Sequence, residues 1–446
     1  MTSAAEQFAS NINLASFAKA DELKKRLLFT LGALIVYRLG TFVPLPGIDP
    51  EAFARGFQSQ QGGLLGTLNI FAGGAVERMA IFALNIMPYI SASIIMQLMS
   101  AVIPSLEAIK KEGEQGRRQI NQYTRYLTVF LATMQGYFIA VSLQAQTGTV
   151  IDPGPFFLLS TVVTLVGGVM FLLWLGEQIT SRGVGNGVSL IIFAGIVAEL
   201  PRAIAGLLDQ GRTGAGVGGG AIVIIAILAL ALIAFVVFIE RSQRRIIVQY
   251  PRRQVGQRMT QGEKSHLPLK LNVSGVIPPI FASSLLLLPA TAISAIGEGS
   301  PDWLQTVGFW FAPQKPLYIA LYASLIIGFT FIYASVVFKP EEVADNLKKY
   351  GGFIQGYRPG VRTAEYLDYV LTRLTMVGAL YLTFVCILPE ILKASYSQSI
   401  PVYIGGTSLL IVVSVTLDTV SQIQGHLVAQ QYESLIKKSK LRGGRR

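Results

Sequence analysis

Ten long apolar windows in the 446-residue sequence restrict what the chain can fold into. About 20 apolar residues are enough for a helix to cross a bilayer, and each window is close to or above that length. Only 14% of the residues are charged, against about 25% in typical soluble domains. The sequence therefore predicts an all-α polytopic membrane protein with spans at 27–45, 79–103, 126–145, 156–176, 188–207, 219–239, 273–296, 317–338, 371–390 and 402–420.

Lysine and arginine are distributed unevenly among the predicted loops. Of the 37 residues, 30 fall on the side of the N-terminus and 6 on the opposite side, while Arg38 lies within the first span. Because loops rich in these residues stay in the cytoplasm, both termini are predicted to be cytoplasmic. Residues 1–26 would form an N-terminal tail rather than a cleaved signal, and residues 421–446 a C-terminal tail. The net charge of +12 would then lie on the cytosolic face, where it attracts anionic lipids.

The segment around the second window is interrupted in a way that a lipid-facing helix would not be. Residues 64–71 form two short apolar turns between glycine pairs, and the stretch 79–103 carries Asn85, Pro88 and several serines. Broken backbone at membrane depth is tolerated only where it is buried in protein or lines a cavity. We therefore predict that this segment lines a path through the membrane and that its short first piece blocks or shapes the path.

A weak internal repeat supports this interpretation. The sequence PYISAS at 88–93 and the sequence PIFASS at 279–284 lie five spans apart. In a chain of two five-span halves they would occupy corresponding positions with opposite orientations. Interrupted helices at matching positions of two halves indicate a pathway at the interface between the halves.

Motifs for catalysis or nucleotide binding are weak. Residues 214–219 match G-x-G-x-x-G, but no strand precedes them, so a glycine-rich outer loop is the better interpretation. His266 and His426 lie outside the spans, and Cys386 is the single cysteine, which excludes a disulfide within the chain. We predict no cofactor and no metal site, and enzymatic activity would require a catalytic centre built from residues that only the fold could bring together.

Two alternative functions stay open on these residues alone. An ion-coupled carrier would be expected to keep carboxylates at mid-membrane depth, and their scarcity argues against it. An intramembrane enzyme, such as a protease, would need a nucleophile and a base, or a metal pair, at one depth.

Two long cytosolic loops are predicted at 240–272 and 339–370. Residues 241–258 alternate basic and β-branched side chains, which favours a short hairpin. Residues 339–360 begin as a helix with acidic residues in its first turn and lysines in its last, an arrangement that the helix dipole favours. The loop then ends in a tight exposed tip at 356–360.

Isoleucines recur beside small or polar residues near the middle of several spans. A ring of β-branched apolar side chains would form a constriction that closes by dewetting. Isoleucine is also common in membrane helices, and the sequence alone does not bring these residues together. The candidates are Ile86, Ile90, Ile192, Ile280 and Ile411.

Long stretches of the chain resemble the SecY/Sec61 alpha family, whose bacterial members are the central subunit of the Sec translocon. They include IMPYISASIIMQL (86–98), WLGEQITSRGVGNGVSLIIFAGIVA (174–198), HLPLKLNVSGVIPPIFASS (266–284) and ADNLKKYGGFIQGYRPG (344–360). The resemblance covers essentially the whole chain. It implies two pseudo-symmetric inverted halves, 27–207 and 219–420, that form a clamshell around an hourglass pore. The external loop 208–218 would be the hinge.

The resemblance also implies the parts of a protein-conducting channel for unfolded secretory polypeptides. The five isoleucines match the family's pore ring, and residues 62–73 match its plug, in which we place Gly63, Leu64, Leu65, Leu68 and Phe71. Transmembrane segments would leave sideways through a lateral gate between spans 2/3 and 7/8. The candidate gate residues, for which ordinary interhelical hydrogen bonding is an equal explanation, are Ser91, Gln97, Gln135, Asn272 and Ser283.

The partners implied by the resemblance are those of a bacterial inner-membrane translocase. They are the subunits SecE and SecG, the motor ATPase SecA, the ribosome through its RNA and exit-tunnel proteins, SecDF, YajC, YidC and signal sequences. The cytosolic loops would dock the ribosome or the motor through Arg245, Arg252, Arg253 and Arg358. The first three are explained nearly as well by membrane topology, whereas Arg358 lies in a tight turn that favours a functional role.

Overall fold

The computed structural model describes residues 21–58, 64–145, 148–213, 219–250, 254–255, 258–259, 264–296, 315–395 and 405–443. Its first group of helices is α1 (Asp21–Gly40), α2 (Pro50–Gln58), α3 (Leu64–Phe71), α4 (Met87–Val102), α5 (Pro104–Lys111), α6 (Glu114–Ala145), α7 (Pro155–Arg182) and α8 (Gly187–Thr213). The second group is α9 (Gly219–Arg241), α10 (Ile277–Ile296), α11 (Pro316–Val337), α12 (Pro340–Lys349), α13 (Val361–Ser395) and α14 (Gly406–Gly443).

Every predicted apolar window contains a helix, which is consistent with ten spans. Within the described residues, six helical segments are long and apolar enough to cross a membrane. They include α6, α7, α8, α11, α13 and α14. A seventh would be added if α4 and α5, which are bent by 98° at Ile103, were one span.

The helix of the second window begins later than predicted. Residues 79–86 form turns and a bridge, and α4 starts only at Met87. Pro88 lies in the first turn of α4, the position in a helix that tolerates proline because no amide donor is needed there. Asn85 has a positive φ of 47°, which is incompatible with a right-handed helix running through it. The span at 79–103 is therefore helical only in its second part.

Two other helices run past their predicted ends. Helix α8 continues to Thr213 with Pro201 inside it, so the predicted hinge loop 208–218 is helical as far as residue 213, and residues 214–218 lie outside the described part. Helix α14 continues to Gly443 through most of the predicted tail 421–446. That extension contains no proline and carries good helix formers such as Leu, Lys, Gln and Glu.

Buried side chains form one large core in the first half and a second core in the other half. The first cluster joins α1, α3, α4, α6, α7 and α8, and it receives Phe281 from α10 and Ile411 and Val415 from α14. The second cluster joins α9, α10, α11, α13 and α14. Two helices of the second half, α10 and α14, therefore contribute to both cores.

The two long loops that the sequence predicts to be cytosolic form a small sheet of order β4–β1–β5, which we call the cytosolic sheet after that prediction. Strand β1 (Gln243–Gln249) pairs antiparallel with β4 (Lys264–Lys270) and with β5 (Phe353–Ile354). A separate pair, β2 (Gln254–Val255) and β3 (Arg258–Met259), lies between β1 and β4 in sequence. The sequence predicted a short hairpin within residues 241–258. In the structure β1 pairs instead with residues 264–270, so the hairpin extends further along the chain than predicted. Apolar residues on one face of β1, including Ile246 and Val248, pack against Leu367 and Val370 of α13.

Candidate pore, plug and seam

The short helix α3 enters the centre of the first half and is followed by turns instead of a helix. Residues 72–79 and 81–86 are turns in which Gly73 and Gly74 have φ values of 62° and 81°. Residues 79–81 lie beside 43–45, because the Leu45 amide donates to the Met79 carbonyl at 2.9 Å and the Ile81 amide to the Val43 carbonyl at 3.0 Å. This segment returns the chain from the end of α3 to the start of α4.

The structure places the five candidate ring isoleucines in or against one hydrophobic cluster. Ile86, Ile90, Ile192 and Ile411 are buried members of this cluster, and Ile280 packs against it. They come from the start of α4 and from α8, α10 and α14, which are far apart in sequence. The cluster forms an apolar centre to which both halves contribute, and the role of the isoleucines as a pore ring stays a prediction.

The end of α3 lies against this same centre. Ile70 and Phe71 are buried in the cluster that holds the isoleucines, and α3 packs against α8 and α10. Of the candidate plug residues, Leu64, Leu65 and Leu68 lie on α3, whereas Gly63 lies outside the described residues. Gly195 of α8 permits the close approach, since a Cβ there would meet the Phe71 carbonyl and the Tyr37 hydroxyl.

Three polar side chains hold consecutive backbone carbonyls at the end of α3. The Asn85 side-chain amide donates to the Phe71 carbonyl, and the Tyr37 hydroxyl donates to the Ala72 carbonyl at 3.4 Å. The Arg38 guanidinium donates to the Gly73 carbonyl at 2.6 Å. The Phe71 carbonyl at the end of α3 has no partner within the helix, so Asn85 satisfies it, whereas the Ala72 carbonyl also accepts a hydrogen bond from the Ala75 amide at 3.3 Å.

A seam between the halves runs where α10 packs against α4 and α6; we call it the front seam. Within the described residues, one hydrogen bond between side chains crosses from α10 to α4, from the Ser284 hydroxyl to the Met87 sulfur at 3.8 Å. Such a bond to a thioether is weak. Ser284 also donates to the Ile280 carbonyl of its own helix at 2.8 Å, so it keeps a partner if the seam opens.

The candidate gate residues are placed differently with respect to this seam. Gln97 of α4 lines a narrow cavity with Phe281 of α10 and with Phe329 and Tyr333 of α11. Ser91 on α4 and Gln135 on α6 are buried. The Ser283 hydroxyl donates to the Ile280 carbonyl at 2.9 Å, within α10. The contact across the seam falls one residue later, at Ser284.

Asn272 does not lie on a gate helix. It precedes α10, and its side-chain amide donates to Glu240 of α9 at 2.7 Å and to the Gly275 carbonyl at 3.0 Å. These partners all belong to the second half. Asn272 therefore fixes the turn between β4 and α10, and Gly275 in that turn has a φ of 63°.

The predicted docking arginines belong to the cytosolic sheet and its neighbouring turn. Arg245 is exposed on β1, opposite Pro268 of β4. Arg358 is exposed in the turn between β5 and α13, and its carbonyl accepts a hydrogen bond from the Thr363 hydroxyl at 2.9 Å. The neighbouring Tyr357 stacks on Tyr366 with ring centres 4.2 Å apart. Arg252 and Arg253 lie outside the described residues.

These features define a class of protein: a multi-span helical membrane protein whose two packed halves share an apolar centre, against which the end of a short helix packs. The sequence profile of the SecY family matches residues 80–420. The protein translocase subunit SecY of Escherichia coli K12 is 54% identical over 426 residues, which cover 95% of this chain and 96% of that protein. The chain therefore belongs to the SecY family, and the predicted family is confirmed.

Solved structures share the fold at low sequence identity. One, described as showing that the plug domain of the SecY protein stabilises the closed state of the translocation channel, has a TM-score of 0.66 and 17% identity, covering 91% of this chain and 93% of the other. Canine Sec61 in a ribosome–channel complex from the endoplasmic reticulum has a TM-score of 0.61 and 16% identity, covering the same shares. The all-α polytopic fold of the SecY/Sec61 type is thereby confirmed.

Proposed function

We propose that this chain is the channel subunit of a protein translocase, with its pore closed in the state described here. The proposal is carried by the one hydrophobic cluster that the five isoleucines share with the end of α3. Apolar β-branched side chains offer no fixed hydrogen bonds, so they can surround any passing polypeptide without gripping it, and they hold back ions when empty. The name of the Escherichia coli relative, a protein translocase subunit, supports the same function.

The front seam is the proposed lateral gate. Its helices meet mainly through apolar side chains, and Ile94 and Leu98 of α4 line one narrow cavity together with Phe281 of α10. A signal sequence or a transmembrane segment that is itself apolar can replace such contacts with little loss. Ser91, Gln97, Gln135 and Ser283 would bias the seam towards closure. Asn272 would act on it from the turn that precedes α10.

Replacing the five isoleucines tests the pore. We expect serine at Ile86, Ile90, Ile192, Ile280 and Ile411 to raise the ion conductance of planar bilayers that hold the purified protein with its partner subunits. Serine hydroxyls would keep water in the constriction and remove the dewetting barrier. The matched control places serine at five outward-facing isoleucines: Ile35, Ile204, Ile224, Ile227 and Ile391. Equal conductance of the two sets would refute the pore assignment.

The energy source and the partners are proposed to lie outside the chain. The cytosolic sheet would dock a ribosome or the motor SecA. SecE and SecG would be the partner subunits within the membrane, and both termini would be cytoplasmic in the bacterial inner membrane. The 30 of 37 basic residues on one side support this orientation. The fold is shared with a Sec61 channel in a ribosome complex, which supports docking on this face.

Arg358→Glu tests the docking surface. We expect it to reduce motor-driven export of a secretory precursor, because a carboxylate would repel acidic groups on a partner. Arg362→Glu is the matched control, since Arg362 is also exposed but already pairs with Glu365 at 3.3 Å. Export that falls equally in both variants would show only an effect of total charge, and undiminished export in Arg358→Glu would contradict the docking role.

A further inference from the structure

Five charged side chains gather around the turns that follow α3. Arg38 ends α1, Glu77 and Arg78 lie in the turns, and Glu199 and Arg202 come from α8. Four of them are joined by ion pairs: Arg38–Glu199 at 4.0 Å, Arg202–Glu199 at 3.8 Å and Arg202–Glu77 at 3.0 Å. Neither the isoleucine cluster nor the front seam uses these residues.

Glu199 is the buried centre of this group. Its side chain is only 2% exposed, and a buried carboxylate is costly unless positive charge compensates it. The guanidinium groups of Arg38 and Arg202 lie on its two sides. Gly74 leaves room for it, because a Cβ at that position would collide with the Glu199 carboxylate. The carboxylate is therefore fitted closely against the turn that leaves α3.

The group reaches α3 at two points. Arg38 donates to the Gly73 carbonyl at 2.6 Å, and the amide of Glu77 donates to the Asn69 side-chain oxygen on α3 at 2.9 Å. The first contact ends on Gly73, just after α3, and the second on Asn69 within α3, so both hold the end of this helix. The acceptor for Arg38 is a backbone carbonyl, so the bond does not depend on which side chains α3 carries.

We propose that Arg38 and Glu199 form a latch that holds the end of α3 in its closed position. The proposal rests on the proposed function, in which α3 is the plug of the pore. Arg38 supplies the hydrogen bond that must break when α3 leaves. Glu199 orients the half-buried Arg38 guanidinium towards the Gly73 carbonyl, and it remains as a counter-charge when that hydrogen bond breaks. The hydrogen bond from Arg38 can therefore hold α3 in its closed position and still break and form again.

A cysteine at residue 70 reports the position of α3. Ile70 is buried in the isoleucine cluster, so Ile70→Cys introduces a smaller side chain that is shielded while α3 is closed. The native thiol is removed with Cys386→Ala. The protein with its partner subunits, held in lipid nanodiscs, is treated with a polar maleimide, and the rate of labelling is followed by mass spectrometry.

Arg38→Met and Glu199→Gln are expected to raise the labelling rate at least about tenfold, which corresponds to the loss of one hydrogen bond to a charged group. The matched control is Glu177→Gln, which removes a carboxylate that pairs with Arg125 at 2.6 Å between α6 and α7, away from α3. Its labelling rate is expected to equal that of the parent.

Folding is checked by thermal unfolding of each variant. If Glu199→Gln does not fold, Glu199→Asp keeps the charge but withdraws it by one methylene group, and an intermediate rate is expected. Parent-like labelling of folded Arg38→Met and Glu199→Gln would overturn the latch. Faster labelling without increased ion conductance would support the latch and count against a pore-sealing role for α3, so the two proposals fail separately.

Discussion

The front seam and a second seam between the halves, where α8 packs against α14, are held by different contacts. We call the second one the rear seam. At the front, apolar side chains meet, and the one described hydrogen bond from α10 to α4 ends on a sulfur atom. At the rear, the buried backbone amide of Gly185 donates to the Gln422 side chain of α14 at 3.0 Å.

Packing around the rear seam strengthens this difference. Leu427 of α14 is buried with Val184 and with Leu23 of α1, so the extension of α14 packs against the start of α1 and against the loop between α7 and α8. Opening the rear would leave the Gly185 amide without its partner, and an unsatisfied buried donor costs about 1–3 kcal/mol. Opening the front leaves Ser284 bonded within its own helix. The halves can therefore separate at the front while the rear stays closed.

The largest expected effect comes from locking each seam in turn. Cysteines at Met87 and Ser284, joined by a short bifunctional thiol reagent in a Cys386→Ala background, should abolish translocation of a precursor into proteoliposomes. Cysteines at Val184 and Leu427, joined in the same way at the rear, should leave translocation close to the rate without reagent. Equal inhibition by both crosslinks, or full activity after quantitative crosslinking at the front, would show that the front seam is not the one that opens.

If the halves separate at the front seam while the rear seam stays closed, the first half must move as a rigid body. Gly168 of α7 packs on the backbone of the turn before α4, since a Cβ there would meet the Ile81 carbonyl, whereas the adjacent Gly167 has nothing nearby. Gly168→Ala should lower the free energy of unfolding by about 1–3 kcal/mol through overpacking. Gly167→Ala should be neutral or stabilise by up to ~1 kcal/mol, because alanine favours a helix.

These free energies would be measured by reversible unfolding in mixed micelles of detergent and sodium dodecyl sulfate. Similar values for the two alanine variants would mean that α7 and the turn at residue 81 are loosely packed. The contrast between a rigid half and a soft front seam would then be lost.

The smallest expected effects distinguish the hydrogen bonds of the two seams. Gln422→Ala should reduce the free energy of unfolding by about 0.5–1.5 kcal/mol, the net value of a typical hydrogen bond. Ser284→Ala should cost less than ~0.5 kcal/mol, because Met87 is a weak acceptor. The same unfolding assay compares them, and a larger loss for Ser284→Ala would reverse the assignment of the firm and the soft seam.

The sequence was sufficient for the fold class because span length and charge asymmetry are properties of local segments. It was also sufficient for the family, since long motifs such as residues 174–198 carry that information. The sequence could not predict how each helix is rotated about its own axis. Neighbouring residues on a helix point about 100° apart, so Ser283 was named at the front seam where Ser284 makes the contact.

Contacts between residues that are far apart in the sequence could not be predicted either. Arg38 and Glu199 were each noted as charges in or near spans, but 161 positions separate them, and no local pattern pairs them. Asn272 was named as a gate residue from the family resemblance, next to a span that was predicted to begin at residue 273. The turn around Gly275, which delays the helix to Ile277, depends on contacts with Glu240 of another helix.

The sheet on the cytosolic loops has a consequence for the biogenesis of this protein. Strand β1 forms its hairpin with β4 soon after synthesis, but its other edge pairs Val248 with Ile354, which is made 106 residues later. Helices α10 and α11 must be inserted before that edge is covered. An uncovered strand edge can pair with other chains, so we expect the nascent protein to be vulnerable to aggregation during this interval. Completion of the sheet would mark the point at which the second half has assembled.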